Sequence, residues 1–174
     1  MSQSLHKKSL RPTVDPPVTF AIANVPVPST AAEFWRYIFL RDQGMPVILY
    51  SLFFVSCMPI LLAWIASFFR VKQFGKFDNN YPRIQQAQLT GVGARVQGAQ
   101  MNSWEALIIY ATVNFIAFAS GLELNSLDEV AIAFALLRVL HAVFYIANLA
   151  WFRSGVFALS MFCCLYIVFL SATI

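Results

Sequence analysis

Residues 46–69 carry no charged side chain. At a rise of about 1.5 Å per residue, such a run is long enough to cross the roughly 30 Å apolar core of a bilayer as one helix. Apolar runs return at 106–119, 130–150 and 156–174. In lipid every backbone polar group must be satisfied within the protein, so segments of this length become helices. The composition agrees: 59% of residues are hydrophobic and 11% charged, where soluble domains carry about 25% charged residues. The expected class is an all-α integral membrane protein, an antiparallel bundle of four transmembrane helices. The bundle takes residues 46–174, with the second helix extended beyond the bilayer, and residues 1–45 form an N-terminal extension. The net charge of +4 is small and the basic residues form no stripe, so nucleic acid is not a partner. Cys57, Cys163 and Cys164 sit inside apolar runs without metal spacing and read as packing residues.

Residues 1–30 hold five of the eight prolines, with Lys7, Lys8 and Arg11 among Ser and Thr. No apolar h-region marks a secretory signal, and an organelle transit sequence stays open. The prolines favour extended chain: either a disordered tail or an arm lying along a partner, such as a larger membrane complex. Thr30 and Glu33 fit a capping box for a short helix over 31–41, with Phe34, Trp35, Ile38 and Phe39 beside Arg36 and Arg41. This is either a helix in the membrane interface or the first turns of the first span, broken at Gly44-Met45-Pro46. Pro46 suits a first helical turn; Pro59 inside the span predicts a kink.

Residues 70–88 read as a loop in which Arg70, Lys72, Lys76 and Arg83 face a single Asp78. The second helix is expected over 84–120, the third over 130–150 and the fourth over 156–174, with 151–155 as the last loop. Lys and Arg concentrate in the loops 70–88 and 151–155, which places both on the cytoplasmic side; Arg36 and Arg41 oppose this.

The longest polar stretch, 79–105, runs directly into an apolar segment, and ionisable groups at membrane depth point to function or to partners. Arg95, Asn102 and Glu105 fall on one arc of the second helix. On the third, Arg138, His141, Tyr145 and Asn148 recur at steps of three, four and three as a polar stripe. Glu105 and Arg138 suit an ion pair, made directly or through Asn102, because an unpaired charge at that depth is costly. Such a pair either fixes packing or serves a site. His141 reads as a packing residue or a base, and no second ligand stands at metal spacing. Tyr145 and Arg153 lie at the end of the third span, where a soluble substrate meets a lipid-borne one. Arg153 there is either a headgroup anchor or a cation that favours a bound thiolate.

Pro82-Arg83, Leu89-Thr90-Gly91, Ala94-Arg95 and the run Gly98-Ala99-Gln100-Met101-Asn102-Ser103-Trp104-Glu105 resemble the second-helix signature of the MAPEG family, the membrane-associated proteins of eicosanoid and glutathione metabolism. Arg138-Val139-Leu140-His141, then Tyr145, then Arg153-Ser154 resemble its third helix and the start of its fourth. The resemblance covers about 46–174 and is nearest to the bacterial-type branch. It implies a homotrimer of four-helix protomers in membrane lipid, with glutathione held between neighbours as cosubstrate. By position it assigns Arg153 to the thiolate as catalytic residue, matches Asn102 and Glu105 to residues that hold glutathione and matches Tyr145 to one near the same pocket; Arg95, Arg138 and His141 of the same polar faces are further candidates for glutathione binding. Leukotriene- and prostaglandin-forming members carry arginines that clamp glutathione's carboxylates where this chain has Gly98 and Met101. Each lost contact of that kind costs about 1.5–3 kcal/mol, and Arg95, one turn earlier, is the candidate to compensate.

Two readings follow. The first is a glutathione-dependent transferase or peroxidase acting on a lipophilic electrophile. The second is a non-catalytic member, either a lipid-binding scaffold or an accessory subunit of a larger complex. A transporter is disfavoured because no inverted repeat or broken-helix pair is visible.

Overall fold

The computed structural model describes Thr30 and residues 44–174, and the fold below is that of residues 44–174. The Pro-rich arm and the helix expected over 31–41 lie outside the described residues, Thr30 apart. Five α-helices follow in order: α1 (Val47–Phe74), α2 (Pro82–Ala87), α3 (Gly91–Ala119), α4 (Asp128–Ile146) and α5 (Ala150–Ala172), with a 3-10 turn, Leu124–Leu127, leading into α4. Three helical stretches, Val47–Phe74, Leu124–Ile146 and Ala150–Ala172, are long and apolar enough to cross a membrane. α3 matches them in length, but its first half carries Arg95, Gln97, Gln100, Asn102 and Glu105.

α1 continues past the expected end at Phe69, so Arg70 and Lys72 are helical rather than in a loop. Arg70 is buried, donates from Nη2 to Ser67 Oγ one turn back (2.6 Å) and stacks over the Phe77 ring at 4.3 Å. Its neighbours thus take it out of solvent, which the residue type alone argues against. Pro59 is buried within α1, which continues through it.

The connection from α1 to α3 is closed by local polar contacts. Asp78 Oδ1 accepts from the backbone of Asn80 and Tyr81, an Asx-type turn. Buried Gln85 accepts from Asp78 N and donates to Lys76 O. Gln73 donates to Gln88 O and accepts from Thr90 N. The expected single helix over 84–120 is therefore two, α2 and α3, with the break at 88–90, and Gly91 opens α3 at φ +55°.

α3 and α4 end in the same way. Gly121 (φ +80°) and Asn148 (φ 62°) take the left-handed conformation. Leu122 N then reaches Ala117 O and Leu149 N reaches Phe144 O, while Gly121 N and Asn148 N reach Phe118 O and Tyr145 O. This is the Schellman closure, in which orphan carbonyls are satisfied by the chain that leaves the helix. Asn148 therefore terminates α4 and is not the last member of a polar stripe. α5 begins at Ala150, so residues 151–155 are helix, not the expected loop.

α1 packs chiefly on α3, and α4 chiefly on α5; α3 also touches α4 and α5, and α1 touches α4. One core cluster joins Ile48 and Val55 of α1, Tyr110, Val113 and Ala117 of α3, Ala131 and Phe134 of α4, and Cys164 and Ile167 of α5. At its centre Tyr110 stacks on Phe134, with ring centroids 3.9 Å apart, and its hydroxyl bonds Ser51 Oγ at 2.6 Å. A second cluster, Met58, Leu62, Ala66, Val96, Ala99 and Ala142, lies beneath the polar half of α3. Phe53, Trp64, Phe68, Phe115, Phe118, Phe162 and Phe169 point outward, the surface that lipid tails accept and water does not.

Candidate functional site

Three helices meet at a cavity of about 310 Å³ lined by Asn102 of α3, His141 and Tyr145 of α4, and Arg153, Ser154 and Phe157 of α5. Helical spacing explains the set. His141 and Tyr145 are four apart on α4, and Arg153 and Phe157 are four apart on α5, so each pair shares one face. The early start of α5 puts Arg153 and Ser154 within its first two turns, level with the last turn of α4.

The Arg153 guanidinium lies over the Tyr145 ring at 4.4 Å, a cation–π arrangement. The His141 ring meets Tyr145 edge-on at 5.8 Å and Phe157 at 6.1 Å. His141 is buried, and its Nδ1 has no hydrogen-bond partner among the described residues. The wall is thus built from an amide, an imidazole, two hydroxyls and a guanidinium beside one phenyl ring. That mixture suits a small ligand with polar and anionic groups, and the volume falls at the low end of ligand sites, about 300–1,000 Å³. Arg153, Asn102, Ser154 and Tyr145 are groups that can offer hydrogen bonds or charge to a carboxylate or a thiolate.

Arg138 stands behind this wall, 1% exposed. Its Nη2 donates to Asn102 Oδ1 at 2.6 Å and to Asn102 O at 3.3 Å, while Nη1 has no hydrogen-bond partner among the described residues. Asn102 Nδ2 in turn donates to Glu105 Oε2 at 3.2 Å. The link expected between Glu105 and Arg138 therefore runs through Asn102 and not directly, because Glu105 is exposed on the outer side of α3. Arg138 acts on the cavity through Asn102, whose side chain it orients.

Arg95 is elsewhere. Its Nε donates to Ile146 O at 2.9 Å, satisfying one of the last carbonyls of α4 and placing a cation at the negative end of that helix. Of the seven residues singled out from the sequence, the cavity gathers Asn102, His141, Tyr145 and Arg153; Arg138 and Glu105 stand behind and beside Asn102, and Arg95 ties α3 to α4. The sequence reading assigned no role to Ser154 or Phe157. A helix begun at Ala150 puts Phe157 one turn beyond Arg153, but Trp151 to Gly155 carries the residue types of a loop and hid that register.

Gly98 also differs from its expected part. A Cβ built there would lie 2.5 Å from Tyr145 Oη, 2.7 Å from Cζ and 2.8 Å from Cε1. The position is filled by the Tyr145 phenol, arriving from α4.

A helical bundle with outward apolar faces and long apolar helices defines an integral membrane protein, here with a cation–aromatic pocket near the junction of two of those helices. The MAPEG family model matches residues 47–173, and the chain belongs to the MAPEG family. No curated protein and no solved structure matches it.

Proposed function

We propose that this protein is a glutathione-dependent transferase or peroxidase acting on a lipophilic electrophile at the membrane. The observation that carries the reading is Arg153 held over Tyr145 at a cavity that Asn102, His141 and Ser154 also line. A free thiol has a pKa near 8.5, so only a few per cent is thiolate at neutral pH. A fixed guanidinium in a partly dry pocket favours the anion. In the transferase reaction the thiol proton leaves to water, and the thiolate sulfur forms a bond to the electrophilic carbon as that carbon's bond to its leaving group breaks, the leaving group departing with the bonding pair and taking a proton from water. Glutathione is the cosubstrate, and family membership supports that choice.

In this reading the protomer crosses the membrane four times as an antiparallel bundle, with α3 spanning alongside the three apolar helices. Its polar half then faces neighbouring protomers of a homotrimer rather than lipid. The basic connection after α1 and the start of α5 lie on the cytoplasmic side, and the first 45 residues form an extension free to join a larger membrane complex. The alternative, a lipid-binding scaffold without catalysis, is favoured by one observation: Arg95, the cation available to replace the arginines absent at Gly98 and Met101, is engaged with Ile146 O.

Titrating glutathione into the purified protein in detergent separates the two. The ultraviolet absorbance of thiolate should appear on saturation. Its absence in the wild-type protein rejects the enzyme and leaves the scaffold.

A further inference from the structure

Tyr145 is held from two sides by different helices. On one side its ring end sits where α3 has no side chain, at Gly98; on the other, the Arg153 guanidinium rests on its face at 4.4 Å. We propose that Gly98 is a positioning residue of the pocket: the space left by its missing side chain seats the Tyr145 phenol, and the seated ring holds Arg153 in place. The chemical consequence rests on the glutathione reading; the seating rests on packing alone.

The geometry argues for more than a tolerated contact. Three atoms of Tyr145 would lie within 2.5–2.8 Å of a Cβ at Gly98. Turning the hydroxyl hydrogen relieves none of them, because Cζ and Cε1 belong to the ring. The ring itself must swing. Tyr145 stands in the last turn of α4, half-buried and packed against the second core cluster, so the swing also disturbs that packing. It removes the platform beneath Arg153, and a guanidinium without its aromatic partner no longer has a fixed height over the cavity. Glycine inside a helix is otherwise a disadvantage relative to alanine, which makes its use at position 98 informative. Gly155 of α5 provides the contrast, since a Cβ there meets nothing within 4 Å.

The test uses the full-length protein in detergent. In Gly98→Ala, the thiolate absorbance at saturating glutathione should fall, by up to about tenfold for a one-unit rise in thiol pKa where the bound thiol is mostly protonated at the assay pH. kcat should fall with it, and KM for glutathione should move less. Gly155→Ala should raise the melting temperature by about 2–4 °C, the benefit of alanine in an unobstructed helix. Gly98→Ala should not show that gain, and should recover it in a Tyr145→Leu background, or in Tyr145→Ala if the leucine variant does not fold. A Gly98→Ala protein that keeps its thiolate signal and kcat overturns the proposal. If wild-type protein gives no thiolate signal, the glutathione reading fails, and the melting series alone decides the seating: an equal effect of Gly98→Ala with and without the Tyr145 ring overturns it.

Discussion

Arg138 Nη2 donates to Asn102 Oδ1 across 2.6 Å, and this bond joins the most deeply buried cation of α4 to the wall of the cavity. The same Asn102 amide donates its other end to Glu105. One neutral side chain therefore stands between the two charges, with the cation inside and the anion at the surface.

The two sides of that relay carry different weights. Asn102→Ala leaves Arg138 buried with Nη1 and one bond of Nη2 unmet, and a lost hydrogen bond to a charged group costs about 1.5–3 kcal/mol. Glu105→Ala removes an exposed acceptor whose hydrogen bond is to Asn102, and costs under about 1 kcal/mol. Melting of the two variants in the same detergent checks the order. A larger loss for Glu105→Ala contradicts the relay.

Phe134 is fully buried and stacks on Tyr110, whose hydroxyl is fixed by Ser51. Phe134→Ala empties the centre of the main core cluster and should destabilise by about 3–5 kcal/mol. Ser51→Ala leaves the ring stack intact and should cost about 1 kcal/mol. Denaturant or thermal unfolding distinguishes the two, and near-equal losses place the stability elsewhere.

Asn148 closes α4 at φ 62°. Asn148→Gly should be neutral or slightly stabilising, while Asn148→Val should cost about 1–2 kcal/mol, because a β-branched residue resists the left-handed conformation. The valine variant also shifts the start of α5 and therefore Arg153. Comparing melting temperatures of the two variants checks the cap, and a valine variant as stable as the glycine one rules it out.

Arg153→Ala tests the proposed chemistry. Each unit of thiol pKa is worth about 1.4 kcal/mol, so turnover should fall by roughly tenfold or more while glutathione affinity changes less. Steady-state kinetics with the thiolate absorbance measured in parallel decide it. A thiolate signal that survives the substitution moves the role away from Arg153.

The sequence by itself determined that this chain is a helical membrane protein, because uncharged runs of such length have few other stable forms, and it marked Asn102, His141, Tyr145 and Arg153 through residue type and helical spacing. It also marked Glu105 and Arg138 as related. It left open whether they meet directly or through Asn102, since an ion pair and an amide relay leave the same pattern along one helix face. Only the tertiary structure decided that Asn148 ends α4 rather than extending a polar stripe, that α5 begins early enough to bring Phe157 below Arg153, and that Gly98 is where Tyr145 comes to rest. Each of these depends on where a second helix lies. Spacing within one helix fixes which residues share a face, but the depth and register at which two faces meet are set by side-chain packing between elements distant in the chain.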